Sequence, residues 1–352
     1  MKFLHCADLH LGSKQFPQLY KEKMLELLLE SYYLHKCDFL LCAGDIFDVG
    51  NPNQVFKDEL LDTILFYSDA NFVFSVGNHD YIDKAKSYHS LKYLKSLEPY
   101  LNNITVIEDG EYINKFGLNF YSIQETDLNT HCNKNNQPAD ILVWHGVIPN
   151  IDFATGTISN TDTLRRLLNE YNAKYFALGD IHQPIELIKN KCYYPGSLVQ
   201  KTFGCVPGIN IVDLDSGEVT KTCIDLPRKI TVTIQQEKTL TEQDILTVVK
   251  STVDTNYCYL KIKVCLPFIH WYAINKKELV DNLKKLFLDV TLDYINTDTA
   301  KKVDEKVMFE GQTIETELET VVNNYNAYSS KKPLVRYCLR VTNDVGTKKV
   351  DS

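Results

Sequence analysis

The sequence has no Cys-x-x-Cys pair although it carries ten cysteines, so the paired thiolates of a structural zinc site or a thiol redox motif are missing. Cys6, Cys42 and Cys192 fall inside apolar, strand-like runs, and with Cys338 they read as small buried hydrophobes of a reducing compartment rather than as disulfide partners. No apolar run is long enough to cross a bilayer, which excludes a membrane-spanning helix. Met1-Lys2 leads straight into a strand and leaves no room for a signal peptide, so an intracellular protein is expected. There is no basic excess either. Lys and Arg number 38 against 46 Asp and Glu, a net charge of −8, which argues against a protein that coats nucleic acid through a uniformly basic surface. A local basic stripe, or carboxylates gathered around cations, remains compatible with that total. Internal repeats, low-complexity tracts and Gly-Ser linkers are all absent.

What the sequence does contain is 352 residues with a 44% hydrophobic share, enough for two domains. Its recurrent feature is a short apolar strand that ends in a polar cluster. Lys2 to Ala7 ends in Asp8-Leu9-His10-Leu11-Gly12, and Phe39 to Ala43 in Gly44-Asp45-Ile46-Phe47-Asp48. Phe72 to Val76 ends in Gly77-Asn78-His79-Asp80, Ile141 to Trp144 in His145-Gly146, and Tyr175 to Leu178 in Gly179-Asp180-Ile181-His182. Between them, helices are expected over Leu19 to Lys36, from Pro52 through Leu65, over Ser87 to Leu97 and over Leu164 to Tyr171, with Ile151 to Thr163 a loop. In open α/β sheets ligands gather outside the carboxyl ends of the strands, so five distant stretches are expected to build one site. Further strands are expected at Ile104 to Ile107, Leu118 to Ile123 and Gly208 to Leu214.

Asp8, Asp45, Asp180, Asn78, His10, His145 and His182 form a mixed oxygen and nitrogen donor set without thiolates. Such a set suits catalytic Mn, Mg, Fe or Zn. Seven donors are too many for one ion and fit two that share a carboxylate. Two ions activate water and neutralise phosphate charge during in-line displacement, so phosphoester hydrolysis is the expected chemistry. His79 is free to move a proton. Asp80 is assigned no catalytic part. His5, His35, His89, His131 and His270 stand alone and read as structural.

These motifs, in this order, resemble the series of the calcineurin-like metallophosphoesterases: Asp8-x-His10, Gly44-Asp45-x-x-Asp48, Gly77-Asn78-His79-Asp80, His145 and Gly179-x-x-His182. Within that superfamily, HCADLHLG, GDIFD, WHG and YPGSLVQ-x-x-FG are similar to the SbcD-type nucleases of double-strand-break repair. The resemblance implies a layered α/β metallophosphoesterase domain over 1–227, a small α+β DNA-capping domain over 228–300 and a partner-binding segment over 301–352. It implies that Asp8, His10, Asp45 and His182 hold one ion, with manganese the first choice and Mg, Fe or Zn the others. Asp45 would bridge to a second ion held by Asn78, His145 and Asp180. His79 would protonate the leaving oxygen or stabilise the transition state, with Asp48 orienting its ring. The family usually has histidine where this chain has Asp180, and a carboxylate there favours harder ions, leaves a water to bridge, or weakens the second site.

The substrate implied is DNA, cut from duplex ends and within single strands or hairpins. Ser197 is either a substrate contact or a turn residue, and Lys14, Lys84, Lys86, Arg165, Arg166 and Lys201 are candidates for phosphate contact. The partners implied are an SbcC-type coiled-coil ATPase and a second copy of the chain, paired through the helices around Val55 to Leu65 and Tyr88 to Leu97. A stripe of Phe309, Ile314, Leu318, Val321, Val322 and Tyr325 on a helix from about Thr313 to Tyr325 suits docking of the ATPase or packing on the chain's own core. Leu334 to Thr342 reads as a strand before a loose tail. The implied location is cytoplasmic or nucleoid-associated. Two rivals are an esterase of small phosphomonoesters or cyclic nucleotides, and a non-catalytic scaffold.

Overall fold

The computed structural model describes residues 1–83, 85–124, 139–148, 151–152, 157–158, 168–236, 239–253, 257–297, 338–342 and 347–351. The chain divides into two compact units, Met1–Leu226 and Pro227–Ser352. In the first, two six-stranded sheets form layered α/β architecture. One sheet runs in the order β14 (Glu218–Thr222), β13 (Ile209–Asp213), β1 (Lys2–Cys6), β2 (Phe39–Ala43), β3 (Phe72–Ser75), β4 (Ile104–Ile107). The other runs β11 (Ile185–Ile188), β12 (Cys192–Tyr194), β10 (Tyr175–Gly179), β7 (Ile141–His145), β6 (Leu118–Gln124), β5 (Tyr112–Lys115). The central strands of each sheet are parallel: Cys6 pairs with Cys42, Ala43 with Ser75, and Gly179 with His145. The five expected motifs therefore leave their sheets at carboxyl ends.

A single apolar layer holds the two sheets face to face. Phe3, Phe39, Leu41, Val73 and Val212 from one sheet pack with Phe120, Val143, Tyr175, Ala177 and Tyr193 from the other, all almost completely buried. Burying side chains of this size is worth roughly 1.5–3 kcal/mol each before conformational entropy is subtracted. The outer face of the first sheet is covered by α1 (Gln18–Leu34) and α2 (Gln54–Phe66), whose Leu25, Leu28, Leu29 and Leu60 meet Leu40, Phe72 and Phe74.

Several elements differ from the sequence reading. The helix expected from Ser87 is α3 (Lys92–Leu97), because Tyr81 bridges His89 and the Ser90 amide donates to the Asp80 carbonyl at 2.8 Å, closing the preceding segment into a loop. Helix α2 starts beyond Pro52, at the cap made by the Asn53 side chain, which accepts from the Val55 amide at 3.1 Å. The stretch expected as a loop after Ile151 contains a short hairpin, β8 (Ile151–Asp152) with β9 (Thr157–Ile158). Residues 168–171 are helical, and the rest of the helix expected there lies outside the described residues. Strand β13 runs antiparallel to β1 and forms a hairpin with β14.

The second unit is one mixed sheet in the order β17 (Asp289–Asn296), β16 (Cys258–Leu266), β15 (Arg228–Gln235), β18 (Cys338–Thr342), β19 (Thr347–Asp351). The helices α4 (Glu242–Thr252), α5 (Phe268–Ala273) and α6 (Lys276–Lys284) accompany it. Strands β15, β16 and β17 are parallel, and Val232, Ile262 and Leu260 pack with Ile245, Val249, Leu279 and Leu283 of α4 and α6. Helix α4 opens with a capping box: Thr241 Oγ1 accepts from the Asp244 amide at 3.2 Å while the Asp244 carboxylate accepts from the Thr241 amide at 2.8 Å. Thr241→Ala is expected to cost about 1 kcal/mol in urea unfolding of this unit; an unchanged midpoint would show the cap to be dispensable. Among the described residues near the C-terminus, β18 and β19 form an antiparallel hairpin on β15. The helix expected over 313–325 lies outside the described residues, and no helix among them is long and apolar enough to cross a membrane.

Candidate metal centre

Three loops of the first sheet and two of the second meet where the central strands end. They are stitched by main-chain bonds. The Asp8 amide donates to Gly44 at 3.1 Å, His10 to Asp45 at 3.0 Å, Leu11 to Ile46 at 2.9 Å and Asp48 to Leu11 at 3.1 Å. Across the sheets, the Asp180 amide donates to both Asp8 oxygens at 3.1 and 3.2 Å. The approach is so close that glycine is required at several points, two of them in the first sheet's loops. A Cβ on Gly44, where φ is +90°, would lie 2.1 Å from His145 Nδ1, and one on Gly77 would lie 2.1 Å from the Asp45 nitrogen. Four donor-bearing residues also adopt the left-handed region: Asp8 (φ 55°), His10 (46°), Asp45 (52°) and Asp180 (88°).

The seven candidate donors converge. His10 Nε2 lies 3.1 Å from His182 Nε2. His145 Nε2 lies 3.2 Å from Asp45 Oδ1, 2.9 Å from Asn78 Oδ1 and 4.0 Å from Asp180 Oδ1. Asp45 Oδ2 faces the other way, 3.8 Å from His10 Nε2, so one carboxylate presents an oxygen to each half of the cluster. Asp8 is grouped with His10 and His182 on one side and with Asp45 and His145 on the other. Two ligands at right angles, each about 2.1 Å from one ion, stand roughly 3.0 Å apart, and opposed ligands approach about 4.2 Å. The measured spacings span that range.

Protonation and orientation point the same way. Burial and the like charge of its neighbour His10 bring His182 down to about 4, and burial also lowers His10, so both rings are held in the neutral form that binds metals. Nδ1 of His145 faces the Ala43 carbonyl at 2.7 Å; a carbonyl only accepts, so that nitrogen carries a proton and Nε2 is the nitrogen turned to the cluster, where a bound ion would take the place of its proton. Burial opposes charge on His145 and Asp45 alike, yet their pairing prevails, holding Asp45 at about 2 and raising His145 to about 10. Burial pushes Asp8 and Asp180 upward. The cluster thus calls for positive charge at its centre. Asn78 also turns its amide oxygen inward; the reversed amide would donate to both Asp45 oxygens, at 3.1 and 3.2 Å, so hydrogen bonding alone favours the opposite orientation. Converging lone pairs of this kind fit divalent cations.

His79 stands at the exposed rim, with its ring nearly perpendicular to that of His10 at 5.0 Å. Its amide donates to Asp45 Oδ1 at 2.8 Å, and its Nδ1 lies 2.9 Å from the main-chain carbonyl of Asp48. Asp48 meets the His79 ring through this carbonyl and not through its carboxylate. The carboxylate instead lies 3.2 Å from His10 Nδ1, off the line of a hydrogen bond, and 3.1 Å from Lys201 Nζ. The buried Asp80 carboxylate accepts from the amides of Ile46, Phe47 and Gly77 and from Ser90 Oγ, at 2.9 to 3.2 Å. Sequence reasoning missed that tether.

The substrate-contact candidates separate. Lys201 reaches the cluster; Lys14 is exposed in the loop after His10, and Lys86 is 4.0 Å from Asp109. Ser197 is fully buried, and its hydroxyl donates to the Val199 carbonyl at 2.6 Å, while its amide donates to the His182 carbonyl at 3.4 Å. Lys84, Arg165 and Arg166 lie outside the described residues.

A model of the calcineurin-like phosphoesterase family matches residues 1–184, more than half of the chain. The D component of nuclease SbcCD from Staphylococcus saprophyticus is 23% identical over 355 residues, covering 88% of this chain and 91% of that protein. DNA double-strand break repair protein Mre11 of Archaeoglobus fulgidus is 34% identical over 101 residues, 27% of this chain and 23% of that protein. Among solved structures, TT1561 of Thermus thermophilus aligns with a TM-score of 0.44 and 10% identity over 63% of this chain and 98% of that chain.

Proposed function

Because the chain belongs to the calcineurin-like phosphoesterase family, we propose that this metal-dependent phosphodiesterase cuts DNA, as exonuclease at duplex ends and endonuclease on single strands or hairpins. The observation that carries the chemistry is the convergence of seven donors around Asp45, whose two oxygens face opposite halves of the cluster. The choice of DNA is supported by the match to the SbcCD nuclease component along nearly the whole chain.

In this reading Asp8, His10, Asp45 and His182 hold one divalent ion, manganese first. Asp45, Asn78, His145 and Asp180 hold the other. Bound ions of this kind supply an activated water and neutralise charge on the phosphate. Asp45 fixes the spacing of the two positions. His79, at the rim, delivers a proton to the leaving oxygen from its Nε2, while the Asp48 carbonyl holds Nδ1. An SbcC-type coiled-coil ATPase is the proposed partner. Homodimerisation through α2 is supported by the exposure of Val55, Leu65 and Phe66 on that helix.

The test is release of nucleotides from linear duplex DNA with manganese. Cleavage that stops with a chelator and returns with manganese is the expected result. Turnover confined to small chromogenic esters would replace DNA with a small substrate, and no turnover on either would leave a scaffold. Asp45→Ala is expected to abolish binding of both ions in calorimetric titration, and one retained site of unchanged affinity would end the bridging assignment.

A further inference from the structure

Lys201 lies in the segment that follows the Tyr194-Pro195-Gly196-Ser197 turn, nearly two hundred residues from the first motif in sequence. Its side chain is only 15% exposed, and its Nζ is 3.1 Å from Asp48 Oδ1. That same oxygen is 3.2 Å from His10 Nδ1, and His10 Nε2 looks into the donor cluster, 3.1 Å from His182 Nε2. The order is ammonium, carboxylate, imidazole, cluster. A long ammonium side chain costs about 1.5–2 kcal/mol of rotamer entropy to immobilise. Solvated lysines meet phosphate without that restriction, so confinement of this one calls for partners inside the protein, and Asp48 is one of them.

Formal charge supports the arrangement. Asp8, Asp45, Asp48 and Asp180 bring four negative charges to the cluster. Two divalent ions would balance them, and Lys201 then leaves the loaded site with one positive charge in excess, the complement of a phosphodiester.

Resting on the two-ion reading, we propose that Lys201 is a positioning residue of the metal centre: it holds the Asp48 carboxylate 3.2 Å from Nδ1 of His10, off the line of a hydrogen bond, where its negative charge favours the proton on that nitrogen and leaves the Nε2 lone pair for the ion. Partners one step removed from a metal ligand typically change metal affinity 10- to 100-fold when removed. Simple electrostatics has the opposite sign, because deleting a neighbouring positive charge strengthens the binding of a cation. The two effects are therefore separable in one measurement.

The test is calorimetric titration of the full chain with manganese alone, comparing wild type with Lys201→Met, Lys201→Arg, Asp48→Asn and the Lys201→Met, Asp48→Asn pair. Asp48→Asn is expected to weaken one manganese site by about 10-fold or more, and Lys201→Met, one step further from the ligand, is expected to weaken the same site by a smaller, measurable factor without moving the melting temperature of the metal-free protein. Lys201→Arg is expected to recover most of that loss. In the Asp48→Asn background, Lys201→Met is expected to add nothing. Affinity that rises in Lys201→Met, or stays unchanged while KM for DNA increases, overturns the proposal and leaves Lys201 as a substrate contact. A lowered melting temperature with no rescue by arginine also overturns it. Failure of the wild-type protein to bind manganese would instead remove the two-ion reading on which the proposal stands.

Discussion

His79→Asn is expected to lower cleavage of duplex DNA by about 10²–10⁴-fold, the usual worth of a positioned general acid, with manganese affinity unchanged. The geometry separates the two properties. His79 Nδ1 is engaged by the Asp48 carbonyl at 2.9 Å, so the imidazolium form directs its second N–H, on Nε2, away from that contact. Its main-chain amide, which bonds Asp45 at 2.8 Å, is retained in the asparagine variant, so Asp45 keeps that contact. His79 does have a ligand-like neighbourhood, since a nitrogen of its ring comes within 4.8 Å of atoms of His10 and Asp48. Calorimetry on the variant resolves the matter: a lost manganese site would make His79 a ligand and remove it as the acid.

Asp80→Ala is expected to destabilise the first unit by about 3 kcal/mol or more, because four buried donors lose their acceptor. Asp80 is fully buried, and its carboxylate satisfies three amides and one hydroxyl. Two of those amides belong to Ile46 and Phe47, between Asp45 and Asp48, and the third to Gly77. Removal leaves buried donors unpaired at about 1–3 kcal/mol for each group that water does not reach. Urea unfolding measures the loss, and a change under about 1 kcal/mol would mean that water or a shifted loop replaces the carboxylate. Asp80→Asn keeps one acceptor oxygen but puts an amide donor among donors, so an intermediate loss is expected.

The strands and the polar clusters at their ends were legible because both are local patterns: an apolar run of four or five residues, then glycine with Asp, Asn or His. That logic reached the seven residues that the fold brings together at the strand ends. It did not reach what holds the donors. Asp80 follows His79 in sequence and looks like a turn residue, and only the fold brings the amides of Ile46 and Phe47, more than thirty positions away, onto its carboxylate. Asp48 is adjacent to the site by motif, yet its pairing with Lys201 spans 153 positions. The arrangement of two sheets was hidden for the same reason. Parallel strands read as continuous apolar runs whichever sheet they join, and the β13–β14 hairpin lacks an alternating pattern strong enough to announce itself. At Ser87 a helical pattern of apolar residues lost to a loop pinned at the main chain of Asp80.

The left-handed backbone at Asp8, His10, Asp45 and Asp180 sets stability against activity within the same residues. Asp and His tolerate that region better than most residues, but glycine adopts it at no steric cost. Placing glycine there would relieve conformational strain and, at Asp180, take a carboxylate out of a site where burial already disfavours its charge. In a screen for heat resistance alone, glycine would be favoured at these positions, and each gain would remove a side chain that the proposed metal centre uses.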